Sequence, residues 1–515
     1  MASIMRSGAR VSEVSALAER AARAASGFLS LGIGPGDVVA VYLRNDFPFF
    51  EASIAAGLVG AYSTPVNWHN SPDEAAYIFS NSGAKAIVIH ADLYHPIAAA
   101  LPRNVPVFIV ETPPEILSAY GLSAEAAKPP AGVSRWSEWL TGFPPKAQGP
   151  DEAPGSMIYT SGTTGHPKGV RRNRPTAEQA AAQMRGIATV MGFNDKFGPM
   201  DKVVTVMTGP MYHSAPNAYG LTAFKMGANV ILESRFDPEE LLALIDKYKV
   251  THLHMVPTMF VRLLKLPDEV KRKYDVSSLR FVVHAAAPCP VHVKQAMIEW
   301  WGPVINEYYG ATETGAVVFC TSEEWLKHPG TVGKALPNAR VMVLDEDGKE
   351  VSQGATGEVV ARLVDLADFT YHGDDEKRRR AEKAGLISPG DIGYLDADGF
   401  LYLCDRAKDM IISGGVNIYP AEIEAELHKM PGVGDCAVFG IPDEEFGEQV
   451  CAIVQKQPGA SFAEGDVRSF LRERIAGYKV PKRVEFRTEL LREDSGKIFK
   501  RKLREPFWAG AGRAI

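Results

Sequence analysis

The stretch "NVILESRFDPEELLALIDKYKVTHLHMVPTMFVRLLKL", Asn229–Leu266, decides the fold. Its apolar residues form a compact strand-like run at Asn229–Leu232 and then take helical three-and-four spacing over Pro238–Tyr248. A second strand (His252–Val256) and a second helix (Phe260–Leu266) follow. The alternation continues with a strand at Phe281–His284 and a helix at Val291–Trp301. Upstream, Ser12–Leu31 has helical spacing stopped by Gly32, followed by a strand at Val38–Leu43 and a further helical pattern through Ala56. Strands alternating with helices bury parallel sheets under helical layers, so the fold class is α/β.

From Val341 the texture changes to short strands and turns. "VMVLDEDGKEV" (Val341–Val351) reads as a hairpin, with "GEVVARL" (Gly357–Leu363) and "FLYLCD" (Phe400–Asp405) as further strands of a small β-rich subdomain. After "DRAKDMIISGGVNIYP" comes a compact mixed segment, with a helix at Ala421–Met430, strands near Cys436–Phe439 and Val450–Val454, and a helix at Glu464–Ile475. A domain boundary is expected near Arg406–Asp409. "EKRRRAEK" (Glu376–Lys383) reads as a solvated, charged helix face.

The 515 residues, 46% hydrophobic and 23% charged, can build several cores, which excludes a disordered, collagenous or coiled-coil chain. With 56 basic against 62 acidic residues the formal charge is −6, so nucleic-acid binding through bulk positive charge is excluded and any anionic ligand must be held by local groups. The five cysteines form no Cys-x-x-Cys pair, so neither a disulfide framework nor a zinc site is indicated, and a reducing cytoplasm fits. No secretory signal pattern opens the chain, and the most apolar run, near Ala52–Ser63, is too short to span a bilayer.

Chemistry concentrates in "YTSGTTGHPKGV", Tyr159–Val170. Taken alone, a Gly/Ser-rich stretch is a linker. Here glycines, hydroxyls and Lys168 follow an apolar lead-in, a composition able to surround phosphate oxygens. Pro167 stands before the lysine where the P-loop of an NTPase has glycine, so that motif is excluded. GxGxxG, HExxH and GxSxG are all absent from the sequence. "YGATETG" places Thr312 and Glu313 after an apolar lead-in, a hydroxyl suited to a phosphate oxygen and a carboxylate suited to Mg²⁺.

Together with "PMYHSAP" (Pro210–Pro216), "HAAAPCP" (His284–Pro290), "NEYYGATETG" (Asn306–Gly315), "GEVVAR" (Gly357–Arg362), "PGDIGYLDADGFLYLCDRAKDMIISGGVNIYPAEIE" (Pro389–Glu424) and "REDSGKIFKRKL" (Arg492–Leu503), these strings resemble, in order, the blocks of the adenylate-forming superfamily of acyl-CoA synthetases, peptide-synthetase adenylation domains and beetle luciferases. The spelling is most similar to the fatty-acyl and aryl-acid CoA ligase branch. The resemblance implies a large N-terminal domain, residues 1–407, of two β/α subdomains plus a β subdomain. A small mobile α+β domain, residues 408–515, follows a hinge at Lys408.

The same resemblance implies an AMP-forming acid–thiol ligase that uses ATP, Mg²⁺ and CoA on a hydrophobic carboxylic acid. It assigns ATP to Thr160, Ser161, Gly162, Thr163, Thr164, Gly165, Lys168, Ala286, Ala287, Pro288, Tyr309, Gly310, Ala311 and Thr312, with Glu313 on the metal. Asp391 and Arg406 would hold the ribose or phosphate, Lys497 would be the adenylation lysine, and His213 would orient substrate between acyl pocket and CoA channel. Ser413, Gly414 and Gly415 would approach CoA after the small domain turns. A freestanding enzyme loading a carrier-protein phosphopantetheine, a luciferase-like oxygenase and a non-catalytic nucleotide sensor are the alternatives. A homo-oligomer is left open, as is the role of His284, which replaces the usual opening of its block. Leu491 and Glu493 depart from the family's proline and threonine, and the first matched helix begins almost at once, without the leading segment of many relatives.

Overall fold

A computed structural model describes residues 2–146, 149, 153–160, 167–406, 409–413, 416–443, 446–492 and 498–509. Two sheets carry the β/α alternation. The first has five parallel strands in the order Tyr62–Pro65, Val38–Tyr42, Ala84–His90, Val107–Val110 and Ser134–Arg135. The second is parallel through Ile4–Ser7, Asn229–Leu232, Val204–Met207, His252–Met255, Phe281–His284 and Ile305–Ala311. Val38–Tyr42, His252–Met255 and Phe281–His284 are buried at every position, as helices on both faces require.

The deciding stretch folds as read. Asp237 accepts hydrogen bonds from the backbone N–H groups of Glu239 and Glu240 at 3.0 and 2.9 Å, and Pro238 opens the helix Pro238–Tyr248. Lys249, at φ 51°, closes it in the left-handed region. The helix buries Leu241, Leu242 and Ile245 beneath the sheet. The following helix is Pro257–Leu264, starting three residues before the sequence reading because a proline at its first position suits a helix start.

The amino-terminal reading needs correction. The first long helix is Val14–Ser30, and a hairpin of Ile4–Ser7 and Arg10–Glu13 precedes it. Ile4–Ser7 joins the second sheet beside Asn229–Leu232, with Met5 opposite Val230. Ile4–Ser7 and Arg10–Glu13 mix polar residues into runs of four and lack the continuous apolar character that marks Phe281–His284, and the partner lies more than 220 residues away.

The two parallel sheets share a core. The Phe50 and Phe224 rings stack at 5.6 Å, and buried Asn45 donates to the Gly209 carbonyl and accepts from Met211 N–H, both at 2.9 Å. That amide fixes the start of "PMYHSAP" relative to the first sheet.

After Ala311 the second sheet turns antiparallel and continues through Gly315–Cys320, Gly333–Ala335, Phe400–Arg406, Asp391–Leu395 and Gly357–Leu363. The hairpin expected at Val341–Val351 closes over a short span, with Asp345 N–H on the Lys349 carbonyl at 2.8 Å and Val351 N–H on the Val343 carbonyl at 3.0 Å, and its first strand, Ala339–Leu344, is paired along its length with Gly357–Leu363. A separate three-stranded sheet joins Ile158–Thr160, Lys168–Arg172 and Phe369–Tyr371.

The small C-terminal domain has its own sheet of Val416–Ile418, Ile411–Ser413, Gly447–Lys456, Val433–Asp443 and Arg483–Arg487. Its core gathers Ile423, Leu427, Val438, Ala452, Val467 and Leu471. The last helix, Lys500–Trp508, is anchored by Trp508, whose indole N–H donates to the Gly440 carbonyl at 3.1 Å. Lys265 of the large domain reaches the Gly434 carbonyl of the small one at 2.7 Å. Among the described residues no helix is long and apolar enough to cross a membrane.

Candidate active site

A cavity of about 1500 Å³ opens where the two parallel sheets, the three-stranded sheet and the last helix converge. The hairpin Thr312–Gly315 projects into it from the ends of Ile305–Ala311 and Gly315–Cys320. Gly310 permits that hairpin, because a Cβ there would lie 1.9 Å from the Gly315 carbonyl oxygen. The Thr314 hydroxyl accepts from Ala311 N–H at 2.9 Å, which closes the turn.

Three groups from other elements hold the turn. Arg172 donates from one guanidinium nitrogen to the Thr312 and Glu313 carbonyls at 2.5 and 2.9 Å, and from another to the Ala367 carbonyl at 3.1 Å. Burial pushes its pKa down to about 10, with Glu313 and Asp368 opposing the shift, so it remains a cation at neutral pH. The Tyr371 hydroxyl donates to Glu313 Oε1 at 2.9 Å, and burial followed by the Glu313 charge raises the phenol's pKa, which keeps it a donor. Thr312 donates its hydroxyl to Ser214 Oγ at 3.1 Å.

Among the described residues no donor reaches Glu313 Oε2, so this carboxylate has one oxygen committed and one available. No group of three potential metal ligands occurs among the described residues, so a cation at Glu313 would draw its other oxygens from a ligand.

Asp391, also in the lining, accepts from the Tyr309 hydroxyl at 2.7 Å, and Tyr309 itself lies beneath the lining. Lys168, at the start of its strand, pairs with Asp374 at 3.2 Å. Thr160 lies across the same hairpin, its hydroxyl 3.5 Å from the Lys168 carbonyl. His213 immediately precedes the helix Ser214–Lys225, with its ring 4.4 Å from that of Tyr212. Ala286, at φ 75°, bends the chain away from the end of Phe281–His284 and presents Ala285–Ala287 to the cavity.

Two helices give the cavity a largely apolar wall, in which, among the described residues, Lys225 is their one charged lining residue. Ala181, Met184 and Ile187 of the helix Ala177–Val190 face the cavity with Ala218 and Leu221 of Ser214–Lys225. At its floor lies His254, whose Nε2 is 3.1 Å from the Tyr308 hydroxyl. Burial lowers the His254 pKa to about 4, so the ring is neutral at physiological pH.

The structure thus brings Thr160, His213, Ala286, Ala287, Gly310, Ala311, Thr312, Glu313 and Asp391 to one cavity, with Lys168 joined to it through the lining residue Asp374. It does not bring Pro288, which is exposed beyond the bend, nor Ser413, which lies in the small domain's sheet opposite Gly447. His284 is fully buried behind the lining, edge-on to Phe260 at 5.3 Å and 3.4 Å from Glu307, which holds the buried Lys294 at 2.5 Å. Burial, then Lys294 and His254, depress its pKa, so it packs as a neutral ring.

The expected roles at Ser161, Gly162, Thr163, Thr164, Gly165, Lys408, Gly414, Gly415 and Lys497 fall outside the described residues, as does the side chain of Arg406. Arg172, Tyr371 and Ser214 were not anticipated. Arg172 directly follows the "PKGV" string, which is a signal of position, whereas Tyr371 has none in the sequence.

The AMP-binding enzyme profile matches residues 13–367, and the profile of that family's C-terminal domain matches 422–497. The chain belongs to the AMP-binding enzyme family. Within the adenylate-forming superfamily this AMP-binding enzyme stands in the acyl-CoA synthetase branch. It is 31% identical to a feruloyl-CoA synthase of an Amycolatopsis species, over 98% of this chain and 96% of the relative. It is also 31% identical to a fatty acid–[acyl-carrier-protein] ligase of Streptomyces coeruleorubidus, over 96% and 91% of the two chains. The ATP-bound crystal structure of MatB from Rhodopseudomonas palustris superposes with a TM-score of 0.82 at 26% identity, covering 99% of this chain and 97% of that one. The resemblance and the α/β fold class read from the sequence are both borne out.

Proposed function

We propose that the enzyme is an ATP-dependent acyl-CoA synthetase that activates a hydrophobic monocarboxylic acid through an acyl-adenylate and passes it to CoA. The observation that carries this reading is a cavity that has Thr312, Glu313 and Asp391 in its lining, Lys168 paired with the lining residue Asp374, and a largely apolar wall supplied by two helices. ATP would lie along these polar residues, its ribose hydroxyls on Asp391, a carboxylate already oriented by Tyr309. The 160–168 segment, Lys168 and Thr312 would hold the phosphates, and Glu313 Oε2 would hold Mg²⁺. That cation neutralises phosphate charge when bound.

The acid's carboxylate attacks the α-phosphorus, the bond to the bridging oxygen breaks, and pyrophosphate leaves. Positioning and charge neutralisation carry this step, with Lys497 as the cation delivered to the developing charge. His213 orients the acyl end between apolar wall and thiol route. The small domain, proposed as residues 408–515 on a hinge at Lys408, then turns and withdraws Lys497. Ser413, Gly414 and Gly415 approach the pantetheine arm, the CoA thiolate attacks the acyl carbon, and AMP leaves. The reading places the enzyme in the cytoplasm, where ATP and CoA are supplied.

The test incubates the protein with Mg-ATP, CoA and a panel of fatty, aryl, aryl-alkanoic and sterol-side-chain acids, followed by mass spectrometry. An acyl-CoA formed together with AMP supports the reading and names the acid. Pyrophosphate release without any thioester refutes CoA as acceptor and moves carrier-protein loading to first place.

A further inference from the structure

The basic run Glu376–Lys383 does not behave as one solvated face. Arg380 pairs with Glu376, Lys383 with Glu358, and Arg378 with Asp368 and Glu382 at 2.8 Å. Lys377 shares the cavity lining with Arg380 and Lys383 but not their pairing with carboxylates. It stands in that lining with Asp374 and Glu313, half-buried, with its ammonium 4.2 Å from the centroid of the Tyr371 ring. Among the described residues no carboxylate lies within ion-pair distance of its Nζ, and no acceptor lies within hydrogen-bond distance.

Its neighbouring anions are already engaged. Asp374 accepts Lys377 N–H at 3.0 Å through one oxygen and pairs with Lys168 through the other, and Glu313 Oε1 is taken by Tyr371. Burial lowers the Lys377 pKa, Glu313 and Asp374 oppose that shift, and Lys168 adds to it. A partly desolvated ammonium with three donors and no acceptor is completed by an anionic ligand with several oxygens. Tyr371 links the two functions, since its ring carries Lys377 and its hydroxyl holds Glu313.

We infer that Lys377 is a phosphate-binding residue, taking the terminal phosphates of ATP and the pyrophosphate they become. The inference rests on the ATP placement proposed above, and it names the group that meets the leaving pyrophosphate. It goes beyond the motif-derived set, none of which lies in this run.

The test is calorimetric titration of the full chain with magnesium pyrophosphate, Mg-ATP and AMP, in Lys377→Gln, Lys377→Arg and, as a control on the same helix, the exposed Arg379→Gln. Loss of one charge-assisted contact weakens pyrophosphate and ATP binding by roughly tenfold in Lys377→Gln. AMP affinity stays unchanged, Lys377→Arg restores most of the loss, and Arg379→Gln has no effect. Unaltered pyrophosphate affinity in Lys377→Gln leaves only an aromatic-stacked surface lysine and overturns the inference. A parallel loss for AMP overturns it too, because it marks general disturbance of the site. If the unaltered chain activates no acid but binds pyrophosphate in a Lys377-dependent way, the ligase reading fails and this inference stands.

Discussion

Arg172 tests how the site is held together. Its guanidinium caps three carbonyls, those of Thr312, Glu313 and Ala367. Replacing it in Arg172→Met removes three charge-assisted bonds, roughly 4–5 kcal/mol if each contributes about 1.5. The same substitution removes a buried charge whose pKa is depressed from 12.5 to about 10, which returns up to about 3 kcal/mol. That return is discounted because the side chain keeps some exposure. The net loss of stability is about 2 kcal/mol, a shift of about 2–3 °C in Tm for a domain of roughly 400 residues whose unfolding entropy is about 2.1 cal/mol/K per residue. Activity responds more steeply. Without the guanidinium, the Thr312–Glu313 turn drifts relative to the phosphate site, and a displacement of about 1 Å costs on the order of 100-fold in rate. The assay pairs calorimetric unfolding with acid-dependent exchange of labelled pyrophosphate into ATP. Near-normal exchange in a folded Arg172→Met protein refutes the clamp, and so does a protein that no longer folds, because that assigns Arg172 to the core instead.

Three other outcomes follow from the same geometry and chemistry. Tyr309→Phe leaves Asp391 without its 2.7 Å donor and raises the KM for ATP by roughly tenfold with kcat little changed; a fall in kcat alone contradicts the ribose role. Lys497→Ala abolishes adenylate formation yet spares thioester formation from supplied acyl-AMP, and equal loss of both half-reactions contradicts its assignment. His252 and His254, both lowered by burial to about 4 in the folded chain, give a third. The unfolded chain binds their protons first, so stability is full above about 6.5 and is lost as pH falls toward 4. At pH 5 the loss is at most about 2 kcal/mol per histidine. Urea unfolding at pH 7.5 and pH 5 measures it, and an unchanged pH slope in the His252→Asn, His254→Asn double variant removes the cause.

The sequence by itself determined the alternation of strand and helix, because apolar period is a local property that each element carries within its own few residues. Pro238–Tyr248, Phe281–His284, Val291–Trp301 and Gly357–Leu363 were readable to the residue for that reason. It also carried the ordered motifs, and through them the family. What only the tertiary structure decided are relations between residues distant along the chain. Ile4–Ser7 finds its strand partner beyond residue 228, Arg172 reaches carbonyls some 140 residues on, and the Tyr371 hydroxyl meets a carboxylate 58 residues back. The run Glu376–Lys383 shows the limit most sharply. Its cations are equivalent in the sequence, yet Arg378, Arg380 and Lys383 find carboxylates while Lys377 stands in the cavity lining on the Tyr371 ring. Which way a charged side chain faces depends on where the strand Phe369–Tyr371 docks its short helix, and that docking is fixed by pairing with Lys168–Arg172 about two hundred residues earlier.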